Sequence, residues 1–174
     1  MVKAMRTLFL VMIVSLAIAT FWNQVPIIKQ TVGVVLNPTA GRLLDYNANI
    51  GMILFAGIIS LFITIIQKYT TDQETLREIK KEQKLLQQEM KKYREHPEKF
   101  LELQKKQFGM FPRTMEITMR PVMYTSIPII LLFRWFGDYF LTNPTKIFGL
   151  HWILAYLIFS IIFSSIFRKA FNVA

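Results

Sequence analysis

IGMILFAGIISLFITII, residues 50–66, runs seventeen residues without a charge, and QKYTTDQETLREIKKEQKLLQQEMKKYREHPEKF, residues 67–100, follows it with charge at almost every turn. The polar block continues to residue 120. Apolar sequence then returns as PVMYTSIPIILLF (residues 121–133) and, after a short break, LHWILAYLIFSIIFSSIF (residues 150–167). A helix crosses the hydrocarbon core of a bilayer with about 20 mostly apolar residues, and about 17 is the lower limit. The pattern therefore predicts an all-α membrane protein with one long aqueous insertion, residues 67–120, between core spans at 50–66 and 121–139. A third core span is predicted at 150–167 and a polar tail at 168–174.

Composition agrees. The chain of 174 residues is 53% hydrophobic, with mean hydropathy +0.36, yet carries a formal charge of +10. Membrane proteins with basic cytoplasmic parts combine these properties routinely. Within residues 67–120, 13 Lys and Arg stand against 9 Asp and Glu, an excess of +4. That mixture is a solvated helix face rather than a nucleic-acid stripe. Its affinity for phosphate extends to ribosomal RNA or anionic lipid headgroups. No cysteine is present, which removes disulfides, thiol catalysis and thiolate metal sites. His96 and His151 fall on opposite sides of the inferred membrane, so no metal site and no cofactor is expected.

The first apolar stretch, residues 8–22, follows Lys3 and Arg6. It reads as an uncleaved signal anchor extending to about residue 28, with Pro26 in its last turns. A signal peptide cut near Ala17-Ile18-Ala19 has the same plan. Residues 29–49 form a mixed external segment, with turns marked by Asn37-Pro38 and Ala40-Gly41. Basic residues orient the spans. Lys3, Arg6, the central block and Arg168-Lys169 lie inside; Lys29, Arg42 and Lys146 remain outside. Both termini are thus expected in the cytoplasm of a multi-pass cell-membrane protein.

Leu76, Ile79, Gln83, Leu86, Met90 and Tyr93 are spaced 3, 4, 3, 4, 3, the seam of a coiled coil. Asp72 can cap this arm, and His96-Pro97 ends it, because proline cannot continue the hydrogen-bond ladder. Pro97-Glu98 suits the first turn of a return helix, which carries Phe100, Leu101, Leu103, Phe108 and Phe111. Matched arms predict an antiparallel hairpin, with Ile79 and Leu86 facing Phe108 and Leu101. A parallel dimer is the alternative.

Polar residues gather at one depth in three spans. Residues 50–66 and their edge carry Ala56, Ser60, Thr64 and Gln67 on one face. The span at 121–139 leads in with Thr118 and Arg120 and holds Thr125 and Ser126. The last span carries Trp152, Tyr156, Ser160 and Ser164 at four-residue intervals, with Ser165 beside them. Small hydroxyl residues let membrane helices pack closely. Their shared depth also fits a partly hydrated groove open to the cytoplasm. Lys68 and Arg120 stand at its mouth with Met115, Met119 and Met123, which serve either as filler against lipid or as an adaptable apolar surface. Arg134 and Asp138 are four residues apart and can pair on one helix face.

TDQE at residues 71–74, PEKFLELQK at 97–105 and RPVMYTSIP at 120–128 occur in order. Through them the chain, over residues 34–167, resembles the archaeal YidC-like proteins, a family of small membrane proteins within the YidC-type insertase superfamily. The resemblance implies a three-span core, a cytoplasmic coiled coil and a groove that accepts nascent hydrophobic segments. Nascent membrane proteins, lipids, a ribosome or targeting factor, and other membrane subunits are the partners it implies. Bacterial members place an arginine in the groove on the first core span. Here residues 50–66 have no basic residue, and Lys68 and Arg120 are the nearest substitutes.

An insertase needs no covalent chemistry, and no P-loop is present. An ion channel and a coiled-coil membrane adaptor are the alternatives. An enzyme is not expected, because the spans hold no His, Asp or Glu constellation able to act as acid, base or ligand.

Overall fold

The computed structural model describes residues 2–173, and no strand occurs among them. The helices are α1 (Val2–Phe21), α2 (Pro26–Leu36), α3 (Arg42–Tyr46), α4 (Ala48–Thr70), α5 (Gln73–Lys92), α6 (Pro97–Thr142) and α7 (Trp152–Ala170). A π-helical turn, Asn37–Gly41, joins α2 to α3. Among the described residues α4, α6 and α7 are long and apolar enough to cross a membrane, and α1 with the segment after it passes the same test as a bent pair. The side chain of Lys3 lies outside the described residues.

The N-terminal helix stops earlier than its composition suggests. It does not run on to Ile28. The N–H groups of Gln24 and Val25 both return to the Phe21 carbonyl, at 2.9 Å each. Pro26 opens α2 at a position where a missing N–H removes no bond. The two stretches, Phe9–Phe21 and Pro26–Tyr46, meet at 92°. Trp22 holds the corner: it is fully buried, and its indole N–H donates to Asp138 Oδ2 at 2.8 Å. Residues 29–49 also differ from expectation, because helix continues through both supposed turns. Ala40 and Gly41 are buried there, and a Cβ on Gly41 would come within 3.8 Å of the Trp135 ring. Small size, rather than a turn, is what that site requires.

Asn47 caps α4 by accepting from the N–H groups of Asn49 and Ile50, at 3.0 and 3.1 Å. Asp72 caps α5 by accepting from Thr75 N–H at 3.1 Å. Only Thr71 and Asp72 separate the two helices, so α5 leaves α4 through a tight elbow.

The return arm and the following span form one helix. α6 has 46 residues and continues through Pro112, Pro121 and Pro128, with no break at residue 120. Membrane helices accommodate internal prolines where nearby groups re-satisfy the freed carbonyls. At 1.5 Å per residue α6 is about 69 Å long, more than twice the roughly 30 Å of a hydrocarbon core. Its first half must therefore stand outside the membrane, where it packs against α5.

α4 and α7 run in the same direction, with Asn49 meeting Phe148 at one end, Ser60 meeting Ser160 midway and Gln67 meeting Arg168 at the other end. α6 runs the opposite way, and α1 lies beside it. The main apolar core joins Trp22, Met52, Ala56, Phe136, Phe140 and Tyr156. These define the far end of the bundle, away from the hairpin. A smaller core of Leu76, Ile79 and Ile117, with Met110 against it, joins α5 to α6.

Candidate functional site

The six positions with heptad spacing, five on α5 and Tyr93 at its C-cap, turn inward: Leu76, Ile79 and Leu86 are buried, and Gln83, Met90 and Tyr93 are half-buried. The facing register on α6 differs from the expected one. Leu103, Gln107, Met110, Thr114 and Ile117, spaced 4, 3, 4, 3, turn inward. Gln83 Nε2 donates to Thr114 Oγ1 at 3.4 Å. Leu101, Phe108 and Phe111 are exposed instead, by 53%, 68% and 59%. The inward positions include two polar residues, and the outward ones include two phenylalanines. Apolarity alone therefore pointed to the wrong face.

That outward face continues into the span. Phe111, Met115, Met119, Val122, Ser126, Ile129 and Phe133 recur every three or four residues, which places them along one side of α6. Its character changes with depth. Phe111, Met115 and Val122 are exposed, Met119, Ser126 and Ile129 are half-buried, and Phe133, also half-buried, packs against α7. The Phe133 ring meets Tyr156 edge-on at 5.0 Å and Trp152 at 6.1 Å. Among the described residues, none of α6 between Ile117 and Leu131 belongs to either apolar core. The Ser126 hydroxyl is buried without a hydrogen-bond partner. Met123 lies beside the stripe and is also half-buried.

The hydroxyls of α4 lie elsewhere. Ser60 and Thr64 are 4% and 1% exposed. Ser60 Oγ donates to the Ser160 carbonyl at 3.3 Å, and Thr64 Oγ1 donates to the Ser60 carbonyl at 2.7 Å. Both are occupied at or beside the α4–α7 interface. Thr125 is buried and bonds the Pro121 carbonyl at 3.0 Å. The Thr118 hydroxyl bonds the Thr114 carbonyl at 2.8 Å. Ser160 bonds the Leu157 carbonyl and Ser165, exposed, the Ile161 carbonyl. Ser164 is half-buried. Of the expected groove residues, Ser126 is thus the one on the α6 stripe.

Gln67, expected in the groove, and Lys68 and Arg120, expected at its mouth, lie about the elbow. Gln67 Oε1 accepts from Arg168 Nη2 at 3.0 Å, and the Gln67 carbonyl accepts from Gln73 Nε2 at 2.9 Å. Lys68 Nζ lies 5.6 Å from the centre of the Phe171 ring. The Thr75 hydroxyl, with the Thr75 amide, holds the Asp72 carboxyl below the usual carboxylate range, and the charge of Arg120 adds to this.

The far end holds a polar network that sequence reading missed. Asp138 pairs with Lys29 at 2.7 Å and accepts from Trp22; its expected partner Arg134 has its Nε buried without a hydrogen bond. Trp135 Nε1 donates to Asn37 Oδ1 at 2.8 Å, and the Tyr139 hydroxyl donates to Asp45. These contacts fasten α2 and α3 onto α6. Partners about 100 residues apart leave no local spacing to read.

A family described as "Integral membrane protein EMC3/TMCO1-like" matches residues 33–148, about two thirds of the chain. No curated protein and no solved structure matches.

Proposed function

Because the chain belongs to the EMC3/TMCO1-like integral membrane family, within the YidC/Oxa1/Alb3 insertase superfamily, we propose that this multi-pass membrane protein is an insertase. It helps nascent hydrophobic segments enter the bilayer from the cytoplasm. The observation that carries this reading is the apolar stripe on α6, exposed at Phe111, Met115 and Val122, half-buried at Met119 and Ser126, and packed against the α7 aromatics at Phe133.

A hydrophobic segment faces two barriers at a membrane. Its polar flank must cross the headgroups, and each unsatisfied backbone group costs several kcal/mol in hydrocarbon. A path with α6 on one side and the α4–α7 pair on the other would lower both. Phe108, Phe111 and Met115 offer an apolar surface before the bilayer, and flexible methionine adapts to varied side chains. Ser126 and Ser164 supply hydroxyls for the polar flank within it. The packed aromatics Phe133, Trp152 and Tyr156 mark the far end of this path. No bond is made or broken, and the protein acts as a path rather than an enzyme.

In this reading the hairpin and both termini face the cytoplasm, following the basic residues of 67–120 and 168–169. The hairpin then stands where a ribosome or targeting factor delivers the client. A photoreactive residue in place of Met119 or Ser126 should crosslink a stalled nascent hydrophobic segment. One in place of Leu157, which is exposed on α7, should not. Equal labelling from all three positions, or none from Met119 and Ser126, overturns the proposal.

A further inference from the structure

We propose that the hairpin end of the bundle binds the phosphate of an anionic lipid headgroup, through Lys68, Arg77 and Arg168. Three elements bring these cations around the turn that follows α7. That turn closes with Val173 N–H donating to the Arg168 carbonyl at 2.9 Å, with Asn172 at φ 55°. Arg168 reaches Gln67 at 3.0 Å. Lys68, the next residue, lies over Phe171. Arg77 bends back from α5 and donates to the Asn172 carbonyl.

Every one of these partners is neutral. No Asp or Glu occurs between Asp45 and Asp72, or after Asp138. Asp72 itself already accepts from the amide and the hydroxyl of Thr75, at 3.1 and 2.7 Å. Among the described residues the single ion pair within 4.0 Å is Lys29–Asp138, so none of the three cations pairs with an Asp or Glu side chain there. Along the rest of the hairpin, by contrast, bases and acids alternate.

Position selects the ligand. All three cations are exposed. They sit where the charge-free runs of α4 and α7 end, at Ile66 and Phe167, which is the level of the lipid phosphates. Guanidinium groups bind phosphate with two parallel hydrogen bonds and hold it more tightly than a neutral carbonyl. A phosphate here would draw Arg77 and Arg168 from Asn172 and Gln67, and Lys68 would supply a third charge.

The probe is phosphatidylglycerol, titrated into mixed micelles of the full chain and read by native mass spectrometry against phosphatidylcholine. Wild type should retain phosphatidylglycerol selectively. The combined Lys68→Gln, Arg77→Gln and Arg168→Gln variant should bind it about a hundredfold more weakly, at about fivefold per cation. Arg94→Gln, Lys105→Gln and Lys106→Gln together remove the same charge elsewhere on the hairpin and should leave binding unchanged. Should the first triple variant not fold, Arg168→Gln alone should still weaken binding about fivefold. Equal losses in both triple variants, no loss in the first, or no preference over phosphatidylcholine overturns the site. Tighter binding of inorganic phosphate, or of a short RNA, than of phosphatidylglycerol assigns the cations to another ligand and overturns the proposal as well.

Discussion

Gly51 and Gly57 lie six residues apart on α4 and should answer oppositely to the same substitution. A Cβ on Gly51 would sit 3.0 Å from the Leu43 carbonyl oxygen, a backbone atom, and 3.0 Å from Leu44 Cδ2. A Cβ on Gly57 would lie 3.6 Å from the Phe163 ring, an ordinary contact. Gly51→Ala should therefore lower the unfolding midpoint in micelles, by the equivalent of about 1–3 kcal/mol for overpacking. Gly57→Ala should hold or raise it, because alanine gains about 0.5–1 kcal/mol over glycine within a helix. Ser60→Ala should cost about 0.6 kcal/mol, an average interhelical membrane hydrogen bond, and Thr64→Val, whose bond lies within its own helix, should cost less. The polar face of Ala56, Ser60 and Thr64 was legible in four-residue spacing. Its neighbour was not, because periodicity tells which side of a helix a residue occupies and not which helix covers it.

The hairpin separates what spacing reveals from what it hides. The α5 seam was readable because leucine and isoleucine occupy three of its six heptad positions. The α6 seam was misread because Gln107 and Thr114 sit inside it while Phe108 and Phe111 lie outside. The same arm looked separate from the span because Arg120-Pro121 resembles a boundary, yet the helix runs through. Cysteines at Gln83 and Thr114, whose side chains meet, should form a disulfide within one chain. A pair at Gln83 and Phe111 should not. The chain has no native cysteine to interfere, and crosslinks appearing only between chains would contradict the intramolecular hairpin. The cap of α5 gives a second check. A carboxylate whose folded pKa is depressed contributes stability above its unfolded value and loses it as pH falls through the folded one. The Thr75 amide, which donates to Asp72, should accordingly titrate with a midpoint below about 3.9. A midpoint at or above that value contradicts the cap.

At the scale of the molecule, hydropathy showed three spans and their order, because each stands as a long apolar run. It did not show the bent junction after Trp22 or the helical segment beyond it, which rest on contacts with Asp138 and Trp135 far along the chain. Cysteines replacing Arg94 and Lys106 should be shielded from an impermeant reagent in intact cells, and one replacing Lys146 should react. Labelling at Arg94 reverses the proposed orientation. The α6 stripe is tested most directly by insertion of a radiolabelled short-tailed membrane protein into liposomes reconstituted with purified chain. Wild type should insert this client well above protein-free liposomes. Met119→Trp with Ser126→Trp, which fills the stripe, should fold and reconstitute equally and lower insertion about tenfold, the effect of roughly 1.4 kcal/mol on the barrier. Insertion by the filled variant at the wild-type rate would contradict the account.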